Sequence, residues 1–473
     1  MQYRLGPMES FATLTLEILV VCFLLVAFSE VINGFHDTAT AVATVIYTKS
    51  MPALPAVFLA GVGNFLGVLL GGSAIAFALV NLLPVGVVAG IDTTAEVALL
   101  LALLLATVIW NFGTWFLGLP VSTSHTLIGS IIGVGIAHTV LTGADFANDV
   151  NWGKAAEVIA ALLLSPLLGG GLSMLLFTAA RRFLPDSSAP PAAAGAVPPP
   201  SWMRALLIAS CAGVSFVHGS NDGQKSIGLL MLVLIGMFPA IFAFSPTLGH
   251  DAVQRAALAA QRLPAALERV PHDDQGGRGL SEPTRAAARQ AAVELSSVRT
   301  LAEVPAAKRL ALRADILELK REAGRLAQTD ALSTAQRAEI QADRQALGAL
   351  VDHAATWVMF FSAVCLGLGT VIGWQRIVKT IGERIGSTPL NPTQGASAQL
   401  VAVGTIGLSD FAGVPVSTTH VLSSGVAGAM VAAGGSLQRD MVRNILVAWV
   451  TTLPATILLA MTLGFLFHHL FGG

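Results

Sequence analysis

Hydrophobic residues occur along this chain in long runs separated by short polar segments. Since a membrane-spanning helix needs about 20 apolar residues, six runs are long enough to cross a bilayer: 14–46, 53–83, 154–180, 205–243, 354–374 and 444–467. Two further runs, 97–138 and 396–433, are interrupted by Pro-Val-Ser-Thr blocks. A proline and a cluster of hydroxyl groups break a helix in the membrane. These two runs are therefore predicted to be re-entrant hairpins with tips at Pro120–Ser124 and Pro415–Thr419.

Lys and Arg residues between the runs predict which helix ends face the cytoplasm, because cytoplasmic loops of membrane proteins are rich in both. If the N-terminus lies outside the cytoplasm and both interrupted runs are hairpins, one side receives the basic residues of the loops outside the insert: Lys49, Arg181, Arg182, Arg204, Arg376, Lys379, Arg384, Arg439 and Arg443. Each half then contains three full crossings, and this odd number inverts the second half. The prediction is an all-α polytopic membrane protein, an inverted-topology repeat with two re-entrant helical hairpins and a soluble helical insert.

Composition agrees with a membrane protein that carries one hydrophilic segment. Charged residues make up 12% of the chain, against about 25% in ordinary soluble domains, and mean hydropathy is +0.71. Of the 55 charged residues, 29 lie between Asp251 and Asp352. The predicted organisation is a first transmembrane repeat (1–183), a Pro/Ala-rich cytoplasmic linker (184–204), a second repeat (205–244 and 354–473) and a non-cytoplasmic helical insert (245–353).

Composition supports neither nucleic-acid binding nor a cysteine-based disulfide or metal site. The net charge of −1 gives no reason to expect a nucleic-acid partner. The three cysteines, Cys22, Cys211 and Cys365, are dispersed in apolar runs, a distribution that suggests neither a disulfide framework nor a metal motif. The expected surroundings are instead a lipid bilayer.

Polar motifs are repeated in the same order in the two halves. The pairs are NGFHDTATA (33–41) with HGSNDGQKS (218–226), and GLPVSTSH (118–125) with GVPVSTTH (413–420). Ordered duplication of this kind is typical of secondary transporters, whose site lies where the repeats meet. Helix breaks are predicted near Asn33–Asp37 and His218–Asp222, and the four breaks are expected to meet in one cavity near the midplane.

The hairpin blocks are predicted to bind an anion. A helix that begins inside the membrane presents free N–H groups and the positive end of its dipole. The predicted anion ligands are Ser122, Thr123, Ser124, Ser417, Thr418 and Thr419, with Gln224 and Lys225 from the second motif. Lys225 follows Asp222 by three residues and would either balance that carboxylate or contact the substrate. His125 and His420 are interpreted as supporting residues that either assist the site or only lock the loop.

An anion inside the membrane needs compensating cations. Asp37 and Asp222 are the predicted proton or cation sites, and the same set includes Asn33, His36 and Asn221. His36 is the candidate proton-sensitive group because imidazole titrates near neutral pH; alternatively, it only orients Asp37. Cations or protons are therefore expected to travel with the anion, and no resident cofactor is expected. Glu30 is interpreted as structural. Asp410, which aligns with Trp115, is assigned no role.

The stretches NGFHDTATAVATVIYTKSMPA and FVHGSNDGQKSIGLLMLVLIG, together with the two PVST[ST]H blocks, resemble the inorganic phosphate transporter (PiT) family. The similarity is greatest to the bacterial low-affinity Pit branch, whose members carry a similar insert, and it covers nearly the whole chain outside the insert and linker. It implies a multi-pass protein of the bacterial inner membrane that carries phosphate with protons, often as a neutral metal–phosphate complex; other branches use sodium. His36 departs from the family's Asn, which weakens a sodium site there. A homodimer is an alternative that the sequence neither predicts nor excludes.

Rival functions are less consistent with the pattern. Ser122 and His125 suggest a nucleophile and its base, but the pair is duplicated and lacks a positioned acid, so an enzyme is not expected. A non-transporting, channel-like scaffold is a second alternative. Among transporters, sulfate or another tetrahedral oxyanion is the runner-up substrate, because backbone N–H and hydroxyl donors serve both anions.

Overall fold

The computed structural model describes residues 7–72, 75–77, 94–143, 152–183, 198–268, 282–327, 332–413 and 416–471. Across these ranges the regular secondary structure is helical, apart from one isolated bridge between Gly386 and Leu437. The all-α prediction is confirmed. Most of the predicted linker, 184–197, lies outside the described residues, as does Pro415 of the second predicted hairpin tip.

Five helices make up the described part of the first half: α1 (Pro7–Tyr47), α2 (Ala53–Leu70), α3 (Thr94–Phe116), α4 (Thr123–Thr142) and α5 (Trp152–Phe183). The chain continues with α6 (Ser201–Met237), one turn at Pro239–Phe242, α7 (His250–Glu268), α8 (Glu282–Ser296), a 3₁₀ turn at Leu301–Glu303, α9 (Ala306–Ala327) and α10 (Thr334–Val351). It ends with α11 (Thr356–Ile372), α12 (Gln375–Lys379) and its π-helical turn Thr380–Arg384, α13 (Pro392–Phe411), α14 (Thr418–Ala432) and α15 (Arg439–Phe471).

Within the described ranges, seven helices are long and apolar enough to cross a membrane by themselves. They are α1 from Leu16, α2, α3 from Glu96, α4, α5 from Ile159, α6 and α15. By contrast, α14 has 15 residues, so it extends only about 22 Å. Such a helix is shorter than the hydrocarbon core of about 30 Å.

The described residues of both Pro-Val-Ser-Thr blocks lie where one helix has ended and the next begins, as predicted. The glycines that open the blocks have left-handed backbone, with φ of 69° at Gly118 and 66° at Gly413, a conformation that glycine adopts without steric cost. The first turn contacts α12, because Arg376 donates to the Phe116 carbonyl oxygen at 2.7 Å. The depth of this turn in the bilayer, and so the re-entrant course, stays a prediction.

The predicted helix breaks at Asn33–Asp37 and His218–Asp222 are wrong, because α1 and α6 run through both motifs as continuous helices. The motif glycines permit close packing instead of unwinding. A Cβ atom on Gly219 would lie 2.2 Å from the Asn64 carbonyl oxygen, and one on Gly34 would lie 2.6 Å from the Thr370 backbone nitrogen. The two motif aspartates accept hydrogen bonds from Thr123 and Thr419 of neighbouring elements, so their backbone need not open.

A substitution at this crossing is therefore expected to destabilise the protein. Gly219→Ala should lower the free energy of unfolding by about 1–3 kcal/mol, the usual cost of overpacking, since its Cβ would overlap backbone atoms of Asn64. Gly113→Ala is the matched control because no atom lies within 4 Å of its added Cβ. Thermal unfolding of the two purified variants in detergent measures the difference. Equal unfolding temperatures would contradict the proposed close packing.

The helices of the two halves pack on one another in corresponding pairs. Helix α4 packs on α15, the last helix of the second half, and α14 packs on α5, the last helix of the first. Corresponding glycines make these contacts: a Cβ on Gly133 would lie 2.3 Å from the Ile457 carbonyl oxygen, and one on Gly428 would lie 2.2 Å from that of Gly170. In each pair, a hairpin helix of one half packs on the last helix of the other half, as expected for two related halves. The inversion of one half relative to the other stays a prediction.

Residues 231–355 form a second compact unit with its own apolar core, built from α7 to α10. Its limits lie outside those of the predicted insert, 245 and 353. Arg313 is buried at its centre and donates to the carbonyl oxygens of Ala243 and Val351, at 2.6 and 3.0 Å. Burial lowers the pKa of Arg313 to about 10, so the guanidinium remains charged at neutral pH and links the two ends of the unit.

Candidate functional site

The two motif aspartates lie side by side in the interior, joined by a histidine. The Nε2 atom of His218 is 3.3 Å from Asp37 Oδ2 and 3.7 Å from Asp222 Oδ2. All three side chains are buried. Ligand atoms of the three residues lie within 4.8 Å of one another. The structure thus brings the two predicted cation sites together at one place.

His218 is a site residue that the sequence analysis did not identify. A signal was available, because His218 precedes Asp222 by four residues just as Asn33 precedes Asp37. Residues four apart share a face of a helix, so His218 and Asn33 each accompany the carboxylate of their own helix. With its amide nitrogen turned inward, Asn33 donates to Asp37 Oδ2 at 3.2 Å and to Asp222 Oδ2 at 3.3 Å.

Asn64 on α2 fixes the orientation of His218. Its Oδ1 atom lies 2.8 Å from His218 Nδ1, and its Nδ2 donates to Thr370 Oγ1 at 2.8 Å. The Thr370 hydroxyl hydrogen is directed to the Leu366 carbonyl at 2.9 Å, so Thr370 accepts from Asn64. This assigns the hydrogen to His218 Nδ1 and leaves Nε2 facing the aspartates. Asn64 was not recognised because it is a single polar residue in an apolar run.

Each hairpin reaches an aspartate of the opposite half. Thr123 donates to Asp222 Oδ2 at 3.1 Å, and Thr419 donates to Asp37 Oδ1. These threonines lie in the first turns of α4 and α14, where backbone N–H groups have no partner within the helix. The helix starts and the two carboxylates are therefore in direct contact.

The other block residues hold the hairpin turns together. Ser122 and Ser417 are the N-caps of α4 and α14, and their Oγ atoms accept from the backbone N–H groups of His125 and His420 at 3.2 and 3.1 Å. Among the described residues, neither cap hydroxyl donates to an acceptor, so its hydrogen can serve a ligand. Ser124 joins the two hairpins, donating to the Val416 carbonyl oxygen at 3.2 Å. Thr418 is also buried at the start of α14.

Lys225 places a buried positive charge between an aspartate and a hairpin. Its Nζ atom lies 2.6 Å from Asp222 Oδ1 and 2.5 Å from Ser124 Oγ. The ammonium thus balances Asp222 and at the same time points at the first turn of α4. Gln224 is turned elsewhere: its Oε1 accepts from the Ile75 N–H and its Nε2 donates to Asp410 Oδ1, both at 2.8 Å.

His36 and Asn221 occupy corresponding positions but face different surroundings. His36 Nε2 lies 2.9 Å from the Asn111 carbonyl oxygen of α3, so this ring nitrogen is engaged away from the aspartates. Asn221 is fully buried, and both of its amide atoms lack a hydrogen-bond partner within the described part of the chain. The role of His36 in proton sensitivity stays a prediction.

Two corresponding histidines meet behind the hairpin starts. The rings of His125 and His420 have centroids 4.8 Å apart, and His420 also stacks on Trp449 at 4.0 Å. Trp449 in turn donates to the Pro120 carbonyl oxygen at 2.8 Å. This aromatic group braces both turns and is consistent with the interpretation of the histidines as supporting residues.

Glu30 extends the polar interior by two helical turns along α1. It accepts from Ser226 through Oε2 and from Ser362 through Oε1, the latter at 3.3 Å. Glu30 is buried, and Ser226 lies one turn beyond Asp222 on α6. Glu30 therefore lies next to the site and links α1, α6 and α11. These contacts agree with its interpretation as a structural residue.

The arrangement combines groups for cations with groups for anions. Carboxylate oxygens and an imidazole nitrogen suit protons and divalent cations. Hydroxyl groups, helix N-termini and an ammonium suit an oxyanion. Here the two sets bond to each other: hydroxyl groups donate to both carboxylates, and the Lys225 ammonium balances Asp222.

Comparisons with known proteins agree with this chemistry. The low-affinity inorganic phosphate transporter PitA of Escherichia coli (strain K12) is 39% identical over 474 residues, covering 94% of this chain and 95% of the relative. A probable low-affinity inorganic phosphate transporter of Bacillus subtilis (strain 168) is 26% identical over 96% of this chain and 97% of its own length. A solved structure, the sodium-dependent phosphate transporter, shares the fold with a TM-score of 0.54 at 18% identity, covering 95% and 98% of the two chains.

A family model covers most of the chain as well. The model of the phosphate transporter family matches residues 33–460, from the first aspartate motif into the last helix. The family and its members are transporters, which removes the membrane-enzyme alternative raised by Ser122 and His125. On the extent of this match and on the identity to PitA, the chain belongs to the phosphate transporter family.

Proposed function

We propose that this chain is a secondary active symporter of inorganic phosphate in the bacterial inner membrane, with Asp37, His218 and Asp222 as the coupling-cation site. The observation that carries the proposal is the bonding of the predicted anion ligands to the predicted cation sites. Thr123, Thr419 and Lys225 all bond to the two aspartates. Binding of one ligand therefore affects binding of the other.

Coupling follows from an exchange of partners. While the carboxylates are ionised, they accept the hydroxyl and ammonium donors that phosphate needs. A proton or metal cation on Asp37 and Asp222 neutralises these acceptors and frees Thr123, Thr419 and Lys225 for the phosphate oxygens. Phosphate binding and cation binding then favour each other, and by linkage each must raise the affinity for the other by the same factor.

The proton is the coupling ion that these residues favour. His218 and the two aspartates form a closely spaced acid–base group, and a bound divalent cation would use the same oxygen and nitrogen atoms. Co-transport of a neutral metal–phosphate complex is the second candidate, because two carboxylates and an imidazole are suitable divalent ligands. Sodium coupling is the third, since imidazole is not a usual sodium ligand.

Uptake into proteoliposomes tests the function. Purified protein is expected to accumulate ³²P-phosphate when an inward proton gradient is imposed, with saturable kinetics. Arsenate should compete strongly and sulfate weakly, since phosphate and arsenate share protonation states at neutral pH. Repeating the assay with an inward sodium gradient, and with Mg²⁺ or Zn²⁺ added or chelated, separates the three coupling modes. Accumulation of sulfate in preference to phosphate would refute the proposal.

A further inference from the structure

One contact is apolar in the first half and polar in the second. In the first half, Phe35 on α1 packs on Trp115 of α3, with ring centroids 4.8 Å apart and ring planes tilted by 40°. The positions that correspond to these in the second half are Ser220 on α6 and Asp410 on α13. Ser220 donates to Asp410 Oδ2, and Asp410 Oδ1 accepts from Gln224 Nε2 at 2.8 Å. Both contacts join a motif helix to the first helix of a hairpin.

The apolar contact lies nearer to the basic loops than the polar contact does. The Phe35 ring packs on Gly373, where an added Cβ would lie 2.0 Å from the ring. Gly373 directly precedes α12, and the Arg376 guanidinium lies 5.3 Å from the centre of the Trp115 ring. The positive-inside rule places α12 at the cytoplasmic surface, so Phe35 and Trp115 lie towards the cytoplasm.

The polar contact lies further from the basic loops. Helix α2 begins just after the basic loop at Lys49 and runs away from it to Leu70. An added Cβ on Gly71, the residue after this helix, would lie 2.6 Å from Ser220 Oγ. Gln224 also accepts from the N–H of Ile75, beyond that same end. Ser220, Gln224 and Asp410 therefore lie towards the non-cytoplasmic side.

The polar contact is continuous with the site. Ser220 and Gln224 alternate along α6 with Asp222 and Lys225, which bond to each other and to the first hairpin. Asp410 itself is only half buried, whereas Asp222 and Lys225 are fully buried. A path that leads from the non-cytoplasmic side to the site would pass between α13 and α6 at Asp410.

We propose that Ser220, Gln224 and Asp410 form an outer lock that closes the phosphate path on the non-cytoplasmic side, and that Phe35 and Trp115 form the corresponding inner lock. Hydrogen bonds of the outer lock can be exchanged for bonds to water at a small net cost. Separating the two aromatic rings instead exposes apolar surface to water, which is unfavourable. The outer side therefore opens more readily, and phosphate enters past Asp410. This inference rests on the proposed transport function.

Sided labelling of introduced cysteines tests the locks. The native cysteines are all buried, so the wild-type protein supplies the background. A membrane-impermeant thiol reagent is applied to intact cells or to inverted membrane vesicles that contain Ser220→Cys or Phe35→Cys. Ser220→Cys is expected to react faster from outside the cell, and Phe35→Cys faster from the cytoplasmic side. Equal rates from both sides, or the reverse preference, would overturn the assignment.

A second substitution tests the role of Asp410 directly. Combined with Ser220→Cys, Asp410→Ala removes the acceptor of Gln224 and should speed labelling from outside by about threefold or more, the factor for a lost hydrogen bond. Asp440→Ala, at an exposed acid of α15, is the matched control and should leave the rate unchanged. An unchanged or slower rate with Asp410→Ala would overturn the lock. Labelling needs no phosphate, so a failed lock is distinguishable from a failed transport function.

Discussion

Asp222→Asn is expected to abolish concentrative phosphate uptake while the protein remains folded. The carboxylate accepts from Lys225 and Thr123, and an amide of the same shape can neither take up a proton nor carry a charge. Phosphate would then cross without a compensating cation, against about 2.3 kcal/mol per charge at 100 mV. That energy lowers accumulation about fiftyfold for each uncompensated charge.

Two measurements on the Asp222→Asn variant and two further variants check this result. Accumulation of ³²P-phosphate in proteoliposomes should fall to the level of equilibration, whereas phosphate binding to the detergent-solubilised variant should persist. Asp440→Asn, which neutralises an exposed acid at the start of α15, should transport normally. Asp37→Asn should behave like Asp222→Asn, because Thr419 and His218 contact Asp37 as well. Gradient-driven accumulation by either site variant would exclude that aspartate from coupling.

Lys225→Gln is expected to cause a large loss of stability. The Lys225 ammonium lies 2.6 Å from Asp222, and both side chains are buried. Removing one partner of a buried ion pair leaves the other charge uncompensated, at a cost of about 3–5 kcal/mol. The double variant Asp222→Asn/Lys225→Gln removes both charges and should recover most of this stability, but it should not recover transport.

Thermal unfolding in detergent, followed by the uptake assay, separates the two effects. The control pair is Lys308 and Glu294 in the second unit, where Lys308 is exposed. Lys308→Gln should change the free energy of unfolding by less than about 1 kcal/mol, as is usual for an exposed ion pair. If Lys225→Gln were as stable as the wild type, the ammonium would not be balancing Asp222.

The contacts of Asp410 became evident only in the tertiary structure. In the alignment of the two halves Asp410 corresponds to Trp115, and this difference alone does not indicate a role for either residue. The contacts of both residues show that each joins a motif helix to a hairpin, one through ring packing and the other through hydrogen bonds. A difference between the repeats thus becomes a difference in how each motif helix is held to its hairpin.

The helix breaks show where local patterns mislead. Gly34 and Gly219 lie within polar motifs, which suggested unwound backbone at both aspartates. The structure instead packs each glycine against the backbone of a neighbouring helix, near Thr370 and Asn64. Hydrogen bonds from the hairpins satisfy the aspartates, so α1 and α6 remain continuous. Such a neighbour lies far away in the sequence, and local propensity contains no information about it.

By itself, the sequence determined the helical membrane fold, the internal duplication and the position of both hairpin turns. It also singled out Asp37 and Asp222, because each lies in one of the duplicated motifs. Each of these depends on local composition or on repeated spacing, which a single chain displays directly. Tertiary structure alone decided that His218 joins the aspartates, that Asn64 orients it, and that each hairpin reaches the aspartate of the other half. These contacts link residues up to 382 positions apart. Only packing brings such residues together, because no local pattern specifies which buried polar groups will satisfy one another.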